Sequence, residues 1–100
     1  MKKITLFCGA GMSTSMLVEK MKQEAAKQGK EYDISAHSLT ELEARGNNSD
    51  VILLGPQVRF ALGKVKGECP TIPADVIDMR SYGMMDGKGV LAQAEKLMNL

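Results

Sequence analysis

Four short apolar runs alternate with longer segments of helical spacing, and this alternation constrains the fold of the chain more than any other feature. The runs lie at residues 3–7, 32–37, 51–54 and 74–77. A β-α-β-α order of this kind favours a parallel sheet with helices on both faces, joined by right-handed crossovers. We therefore expect an α/β fold built on a single open four-stranded parallel sheet.

Amphipathic helices are predicted in the segments that separate and follow these runs. Apolar residues at helical spacing mark residues 16–28, 39–42, 58–65 and 90–98. Gly29 directly follows the first of these segments, as glycine often does at the C-terminal end of a helix.

Three connecting segments follow the first, third and fourth predicted strands: residues 8–15, 55–57 and 78–89. The carboxyl ends of parallel strands meet at one edge of a sheet, and ligands bind there near the point where the strand order reverses. We therefore expect these three segments to form one rim that holds the functional site.

Length and composition exclude several classes of protein. One hundred residues, 44% of them hydrophobic, suit one domain, which we expect to span residues 1–100. The net charge is +1, so the chain lacks the excess of basic residues that is typical of a nucleic-acid-binding module.

The sequence shows neither a stretch of about 20 apolar residues nor a secretory signal, which favours a cytoplasmic location without membrane insertion. Two distant cysteines and one histidine are too few ligands for a zinc site, so no structural metal is expected.

Cys8 lies at the end of the first predicted strand and begins a segment of small residues. The segment reads Cys8, Gly9, Ala10, Gly11, Met12, Ser13, Thr14 and Ser15. Backbone N–H groups at the start of a helix favour a thiolate and also bind phosphate. We interpret residues 8–15 as a phosphate loop that presents Cys8 as a nucleophile. In the alternative interpretation, Cys8 is a buried cysteine at a strand end and the glycines form a tight turn.

The position six residues after Cys8 distinguishes this loop from other phosphate sites. Cysteine-dependent phosphatases carry an arginine there, which stabilises the charge that develops during attack by water. Here the residue is Thr14, and the lysine of a Walker loop is absent from the segment as well. Without the arginine, we expect a phosphoryl group on Cys8 to persist until another acceptor takes it. The sequence therefore favours a phosphoryl carrier over a hydrolase.

In residues 6–15 and 50–57 the chain resembles the IIB component of the bacterial sugar phosphotransferase system. The likeness continues at residues 76–78, 82–83 and 86–87. Within this family, the chain is most similar to the lactose/cellobiose/chitobiose branch. The resemblance implies that Cys8 accepts a phosphoryl group from a phosphohistidine of the IIA component. It also implies that Cys8 passes this group to a sugar, such as cellobiose, chitobiose or lactose, which the membrane-embedded IIC component imports.

The same resemblance assigns the phosphate cradle to residues that act mostly through their backbone N–H groups: Gly9, Ala10, Gly11, Met12, Ser13, Thr14 and Ser15. It implies a cytoplasmic phosphotransferase that needs no cofactor. The small size and the exchange of partners favour a monomer. Two other classes remain open: a low-molecular-weight cysteine phosphatase or arsenate-reductase-like enzyme, and a non-enzymatic regulatory binding module.

Other residues of the predicted rim are candidates for contacts with a partner or with the cysteine loop: Gln57, Asp78, Tyr82 and Asp86. Turn capping explains the two aspartates equally well, and helix N-capping and packing are the alternatives for Gln57 and Tyr82. Several methionines also lie in or beside the rim: Met12, Met79, Met84 and Met85. Flexible methionine side chains suit transient binding to more than one partner, although packing of the loops accounts for them as well.

His37 and Cys69 are the remaining residues with chemistry suited to phosphate transfer or metal binding. His37 ends the weak second strand without a cradle-like loop, so we interpret it as a structural residue. Cys69 precedes Pro70 in a predicted loop, and we interpret it as an incidental thiol.

Overall fold

In the computed structural model, which describes residues 1–9 and 12–100, four parallel strands form one sheet. Their bounds are Lys2–Cys8 (β1), Tyr32–Ser38 (β2), Val51–Leu54 (β3) and Ala74–Val76 (β4). The spatial order is β2-β1-β3-β4, and each neighbouring pair runs in parallel. The predicted open, four-stranded parallel sheet is therefore confirmed.

Helices and short 3-10 segments connect the strands. The α-helices are Met12–Lys27 (α1), Leu42–Arg45 (α2), Leu62–Glu68 (α3), Met79–Gly83 (α4) and Gly87–Leu97 (α5). The 3-10 segments are Leu39–Glu41, Gly46–Asn48 and Pro56–Ala61. Across residues 1–9 and 12–100, no helix combines the length and the apolar character that crossing a bilayer requires.

Each face of the sheet packs against its own helices, which confirms the predicted two-sided arrangement. Helices α1 and α5 cover one face, where Ile4 and Leu6 of β1 contact the apolar stripe of α1. Helices α2 and α3 cover the other face, where Phe7 of β1 is fully buried. Successive strand residues point to opposite faces, so covering both faces requires β3 to be apolar throughout, and all four of its residues are buried.

The strand order reverses between β1 and β3. The chain passes from β1 to β2 at one edge of the sheet, and then crosses to β3 on the other side of β1. Cys8 ends β1, and Gly55 follows β3 at the same edge, where its backbone N–H donates to the carbonyl oxygen of Phe7 at 2.9 Å. Because ligand sites of such sheets lie at this reversal, the topology places Cys8 where a site is expected.

Two helices begin earlier than the apolar pattern predicts. Helix α1 begins at Met12 rather than at residue 16, so residues 12–15 of the predicted loop form its first turn. Serine and threonine suit helix starts, but they add no apolar periodicity that a sequence pattern would detect. Helix α5 begins at Gly87 rather than at residue 90, and the Asp86 carboxylate accepts a hydrogen bond from the Gly89 N–H at 3.0 Å.

The segment predicted as a loop at residues 78–89 contains a helix that the sequence analysis missed. Helix α4 has five residues, too few to show a helical repeat of apolar positions. The Asp78 carboxylate caps it by accepting a hydrogen bond from the Ser81 N–H at 3.0 Å. The helices predicted at 39–42 and 58–65 exist in part, because 3-10 segments precede α2 and α3.

Candidate active site

Cys8 is the last residue of β1, and its side chain is only 2% exposed. Its Sγ atom lies 3.1 Å from Oγ1 of Thr14, which is fully buried in the first turn of α1. A hydroxyl that donates to a thiolate stabilises the negative charge on sulfur, because hydrogen bonds to charged groups are the stronger ones. The positive end of the dipole of the 16-residue helix α1 favours the same charge.

Thr14 occupies the position at which a cysteine phosphatase carries arginine. Thr14 is uncharged and buried, and its hydroxyl contacts the Cys8 sulfur. The chain has neither lysine nor arginine between residues 8 and 15. The side chains of this segment therefore offer an anion on Cys8 hydroxyl groups and no guanidinium.

Gly55 packs against Cys8 from the side of β3. A Cβ atom on Gly55 would lie 3.4 Å from the Cβ atom of Cys8 and 2.7 Å from Oε1 of Gln57. A side chain at this position would displace the flexible side chain of Gln57 and would touch Cys8, because the backbone directly after β3 approaches the cysteine closely. On the other side of β1, the hydroxyl of Ser38 donates to the carbonyl oxygen of Gly9 at 3.4 Å. Ser38 could not be identified from the sequence, because a serine at a strand end gives no specific signal.

Gln57 and Tyr82 are brought together at the rim, although 25 residues separate them. The Nε2 amide group of Gln57 donates to the Tyr82 hydroxyl at 2.8 Å. Gln57 is exposed, whereas Tyr82 is half-buried and packs against the core under α1 and α5. This hydrogen bond joins the segment after β3 to helix α4, directly beside Gly55.

Asp78 and Asp86 both serve as helix caps in this structure. The backbone N–H of Asp78 also donates to Oε1 of Gln93 at 3.0 Å, and Nε2 of Gln93 donates to the Val76 carbonyl oxygen at 2.8 Å. Gln93 thus ties α5 to the end of β4. Contacts of the two aspartates with a partner stay a prediction.

Part of the predicted phosphate loop is not covered by the structure. Ala10 and Gly11 lie outside the described residues, as do the side chains of Met12 and Ser13. Their assignment to the phosphate cradle stays a prediction. Ser15, in the first turn of α1, is exposed.

Cys69 and His37 occupy surroundings unlike that of Cys8. Cys69 is 1% exposed in the core beneath α2 and α3, where burial, helped by the charge of Glu68, raises the pKa of its thiol. A buried thiol with a raised pKa is a poor nucleophile. The sequence pattern placed Cys69 in a loop and did not reveal this burial. His37 is half-buried, with Nε2 3.1 Å from the Ser35 hydroxyl and Nδ1 3.8 Å from the Glu41 carboxylate.

Four large apolar side chains are exposed on the elements that follow β1, β3 and β4. We call them the apolar rim: Met16, Phe60, Met79 and Met84. Phe60 is the most exposed of them, at 79%. Phe60 was not among the predicted rim residues. Its position between Val58 and Ala61 of the apolar stripe could have indicated its exposure, because a residue between two stripe positions faces away from the core. Met85, in contrast, is half-buried against the core.

Comparisons with known proteins agree with this geometry. The model of the family described as "PTS system, Lactose/Cellobiose specific IIB subunit" matches residues 3–93. The PTS system galactose-specific EIIB component of Lactococcus lactis subsp. cremoris (strain MG1363) is 52% identical to this chain over an alignment of 105 positions, gaps included. The alignment covers 98% of this chain and 97% of that protein. The PTS system cellobiose-specific EIIB component of Lactococcus lactis subsp. lactis (strain IL1403) is also 52% identical, with the same coverage.

A solved structure extends the likeness to three dimensions. The solution structure of the cellobiose-specific phosphotransferase IIB component from Borrelia burgdorferi is 37% identical to this chain, with a TM-score of 0.81. The match covers 98% of this chain and 92% of that chain. The similarity therefore spans the whole sheet and its helices rather than one motif.

Proposed function

Because this chain belongs to the lactose/cellobiose-specific IIB family of the sugar phosphotransferase system, we propose that Cys8 is the residue that carries the phosphoryl group. IIB components are phosphotransferases, and this chain is one of them. We assign the donor as a phosphohistidine of a IIA component. We assign the acceptor as a sugar that a membrane-embedded IIC component imports.

The observation that carries this proposal is the position of the Cys8 sulfur, 3.1 Å from the Thr14 hydroxyl at the start of α1. A nucleophile needs a stabilised anionic form and an approach for its electrophile. Ligand sites of open parallel sheets lie where the strand order reverses, and Cys8 lies at the reversal between β1 and β3. Cys69, the other thiol, is as buried as Cys8, but it follows α3 instead of ending a strand at the rim, and its pKa is raised.

The proposed transfer consists of two displacements at phosphorus. First, the Cys8 thiolate attacks the phosphoryl group, so that an S–P bond forms, the N–P bond breaks and the bonding electrons return to the histidine nitrogen. Second, a sugar hydroxyl oxygen attacks, the S–P bond breaks and the thiolate leaves, while the hydroxyl proton passes to a base on the acceptor side. Thiolate leaves readily, so the donor and acceptor atoms mainly need to be held in line.

Thr14 supports a carrier rather than a hydrolase. A guanidinium at this position would stabilise the charge that builds up when water attacks the phosphoryl group. The Thr14 hydroxyl supplies one neutral donor in its place. We therefore infer that the phosphocysteine survives long enough to reach its acceptor.

For the sugar, we propose a chemical class rather than a single compound. Two relatives with the same identity to this chain are named for different sugars, galactose and cellobiose. We propose a β-linked disaccharide such as cellobiose, chitobiose or lactose, with the choice among them made mainly by IIC. We further place the protein in the cytoplasm as a monomer that meets IIA and IIC in turn.

We assign the apolar rim to the docking of IIA. Single exposed apolar side chains are common, but clustered ones mark interaction surfaces. The four rim residues lie on the elements that follow the carboxyl ends of β1, β3 and β4, the edge at which Cys8 lies. A donor that reaches the buried sulfur of Cys8 must cover this edge. Three of the four residues are methionines, whose flexible side chains adapt to successive partners.

Labelling from phosphoenolpyruvate tests the proposal. The protein is incubated with ³²P-phosphoenolpyruvate, the general phosphotransferase proteins and IIA, and the labelled residue is mapped by peptide analysis. We expect label on Cys8, no label in Cys8→Ser, and normal labelling in the control variants Cys69→Ser and His37→Gln. Label on His37 would refute the assignment, as would full sugar phosphorylation by Cys8→Ser. Substantial turnover of p-nitrophenyl phosphate would instead identify a phosphatase.

A further inference from the structure

The hydrogen bond between Gln57 and Tyr82 lies beside the proposed phosphate site. Oε1 of Gln57 and the Cβ atom of Cys8 both lie within 3.4 Å of the point that a Gly55 Cβ would occupy. The exposed Gln57 side chain therefore places its Oε1 atom next to Gly55, on the side of β3 that packs against Cys8. Its Nε2 group reaches the Tyr82 hydroxyl at 2.8 Å. The Gln57 amide group thus contacts the Tyr82 hydroxyl through Nε2, while its Oε1 lies beside Gly55, the residue that packs against Cys8.

A phosphoryl group on Cys8 needs more hydrogen-bond donors than Thr14 alone provides. The group carries up to two negative charges on three oxygens, and each oxygen accepts hydrogen bonds. No lysine or arginine occurs in residues 8–15, so the segment itself supplies only neutral donors. Donors from α1 approach from one side of the sulfur. Gln57 and Tyr82 belong to the segment after β3 and to α4, the elements that follow the two strands beyond β1 in the sheet.

We propose that Gln57 and Tyr82 complete the phosphate site by donating hydrogen bonds to the phosphoryl oxygens on Cys8. The inference rests on the proposed function, because it requires a phosphocysteine. An amide carries two N–H donors and a phenol one O–H donor. Their mutual hydrogen bond is exposed on the Gln57 side, so it is weak and exchanges readily for a bond to a charged acceptor. In the dephosphorylated protein, the same bond holds both side chains at the rim.

Two variants separate phosphate binding from a merely structural link between the two segments. Tyr82→Phe keeps the ring that packs against the core and removes only the hydroxyl. Gln57→Glu keeps the size of the side chain, and its carboxylate still accepts a hydrogen bond from Tyr82, so the link is preserved. The carboxylate repels a phosphoryl group, however. Tyr32→Phe and Gln28→Glu are matched controls, because these residues contact Glu95 and Glu24 rather than the rim.

The measurements are the ³¹P titration of the phosphocysteine and the rate of its formation from phosphorylated IIA. Donors to the dianion lower the titration midpoint, so we expect Tyr82→Phe and Gln57→Glu to raise it, most in Gln57→Glu. We expect each variant to slow phosphorylation roughly tenfold, as for the loss of a hydrogen bond to a charged group. Both controls should behave as the wild type.

Each outcome distinguishes this inference from the proposed function. If the wild type forms no phosphocysteine, the proposed function itself fails. If phosphocysteine forms and both variants titrate at the wild-type midpoint, the inference is overturned, even when phosphorylation is slower. Normal behaviour of Gln57→Glu would show that the hydrogen bond serves only to join the two segments.

Discussion

The hydroxyl of Thr14 lies 3.1 Å from the sulfur of Cys8, and both side chains are buried where β1 and α1 meet. The contact joins a residue at the end of a strand to one in the first turn of the following helix. It places a neutral donor at the position where a cysteine phosphatase has a charged one. We therefore attribute to Thr14 the expected slow hydrolysis of a phosphoryl group on Cys8.

Replacing Thr14 by valine should slow phosphorylation of Cys8 without unfolding the protein. Valine has nearly the shape of threonine but no hydroxyl, so the thiolate loses one hydrogen-bond donor. Loss of a hydrogen bond to a charged group predicts a rate roughly tenfold lower. The measurement is the initial rate of ³²P transfer from phosphorylated IIA, and thermal unfolding monitors the fold. Thr14→Ser, which keeps the hydroxyl, should retain most of the rate. Equal rates for Thr14→Val and the wild type would show that the contact has no part in transfer.

Replacing Phe60 by serine should weaken recognition of IIA and leave the chemistry intact. Phe60 is 79% exposed, so its loss removes little of the hydrophobic core. We expect the KM for phosphorylated IIA to rise several-fold while kcat stays near the wild-type value. Leu100→Ser is the matched control, because Leu100 is also exposed, at 63%, but follows α5 rather than one of the strands that lead to the rim. An unchanged KM in Phe60→Ser would remove Phe60 from the docking surface.

The order and type of the main elements could be predicted because both faces of the sheet are covered. Full burial makes β3 a continuous apolar run, and the amphipathic helices show the expected spacing. The start of α1 could not be predicted, because residues 12–15 are helical without taking part in the apolar stripe. Short α4 was missed for a related reason, since its five residues carry no repeat.

The site was predictable to the extent that it is local in sequence. Cys8 and Thr14 are six residues apart, so a strand followed by a helix suffices to bring them together. The pairing of Gln57 with Tyr82 depends on two strands ending side by side, which a single sequence does not specify. The burial of Cys69 likewise comes from tertiary packing of α3.

Gly87 is required where α5 crosses α1. A Cβ atom at Gly87 would lie 2.5 Å from the carbonyl carbon of Lys20 and 2.7 Å from its oxygen, so the two helices would have to separate. We expect Gly87→Ala to lower the free energy of unfolding by about 1–3 kcal/mol, as overpacking does. Gly63→Ala is the control, because nothing lies within 4 Å of its Cβ position. Urea unfolding checks both variants, and a wild-type midpoint for Gly87→Ala would contradict the packing argument.

Tyr32 should make the protein lose stability at alkaline pH. Its hydroxyl donates to Glu95 at 2.6 Å, and burial, together with this hydrogen bond and the charge of Glu95, raises the pKa of Tyr32 from 10.0 to about 12. The unfolded chain therefore ionises first, so the contribution is fully present below pH 10 and falls as the pH rises towards 12. Urea unfolding between pH 8 and pH 12 should show that the advantage of the wild type over Tyr32→Phe shrinks across this interval. Glu95→Gln removes the charge and should make the decrease smaller. A difference between the wild type and Tyr32→Phe that stays constant with pH would show that Tyr32 does not titrate in this way.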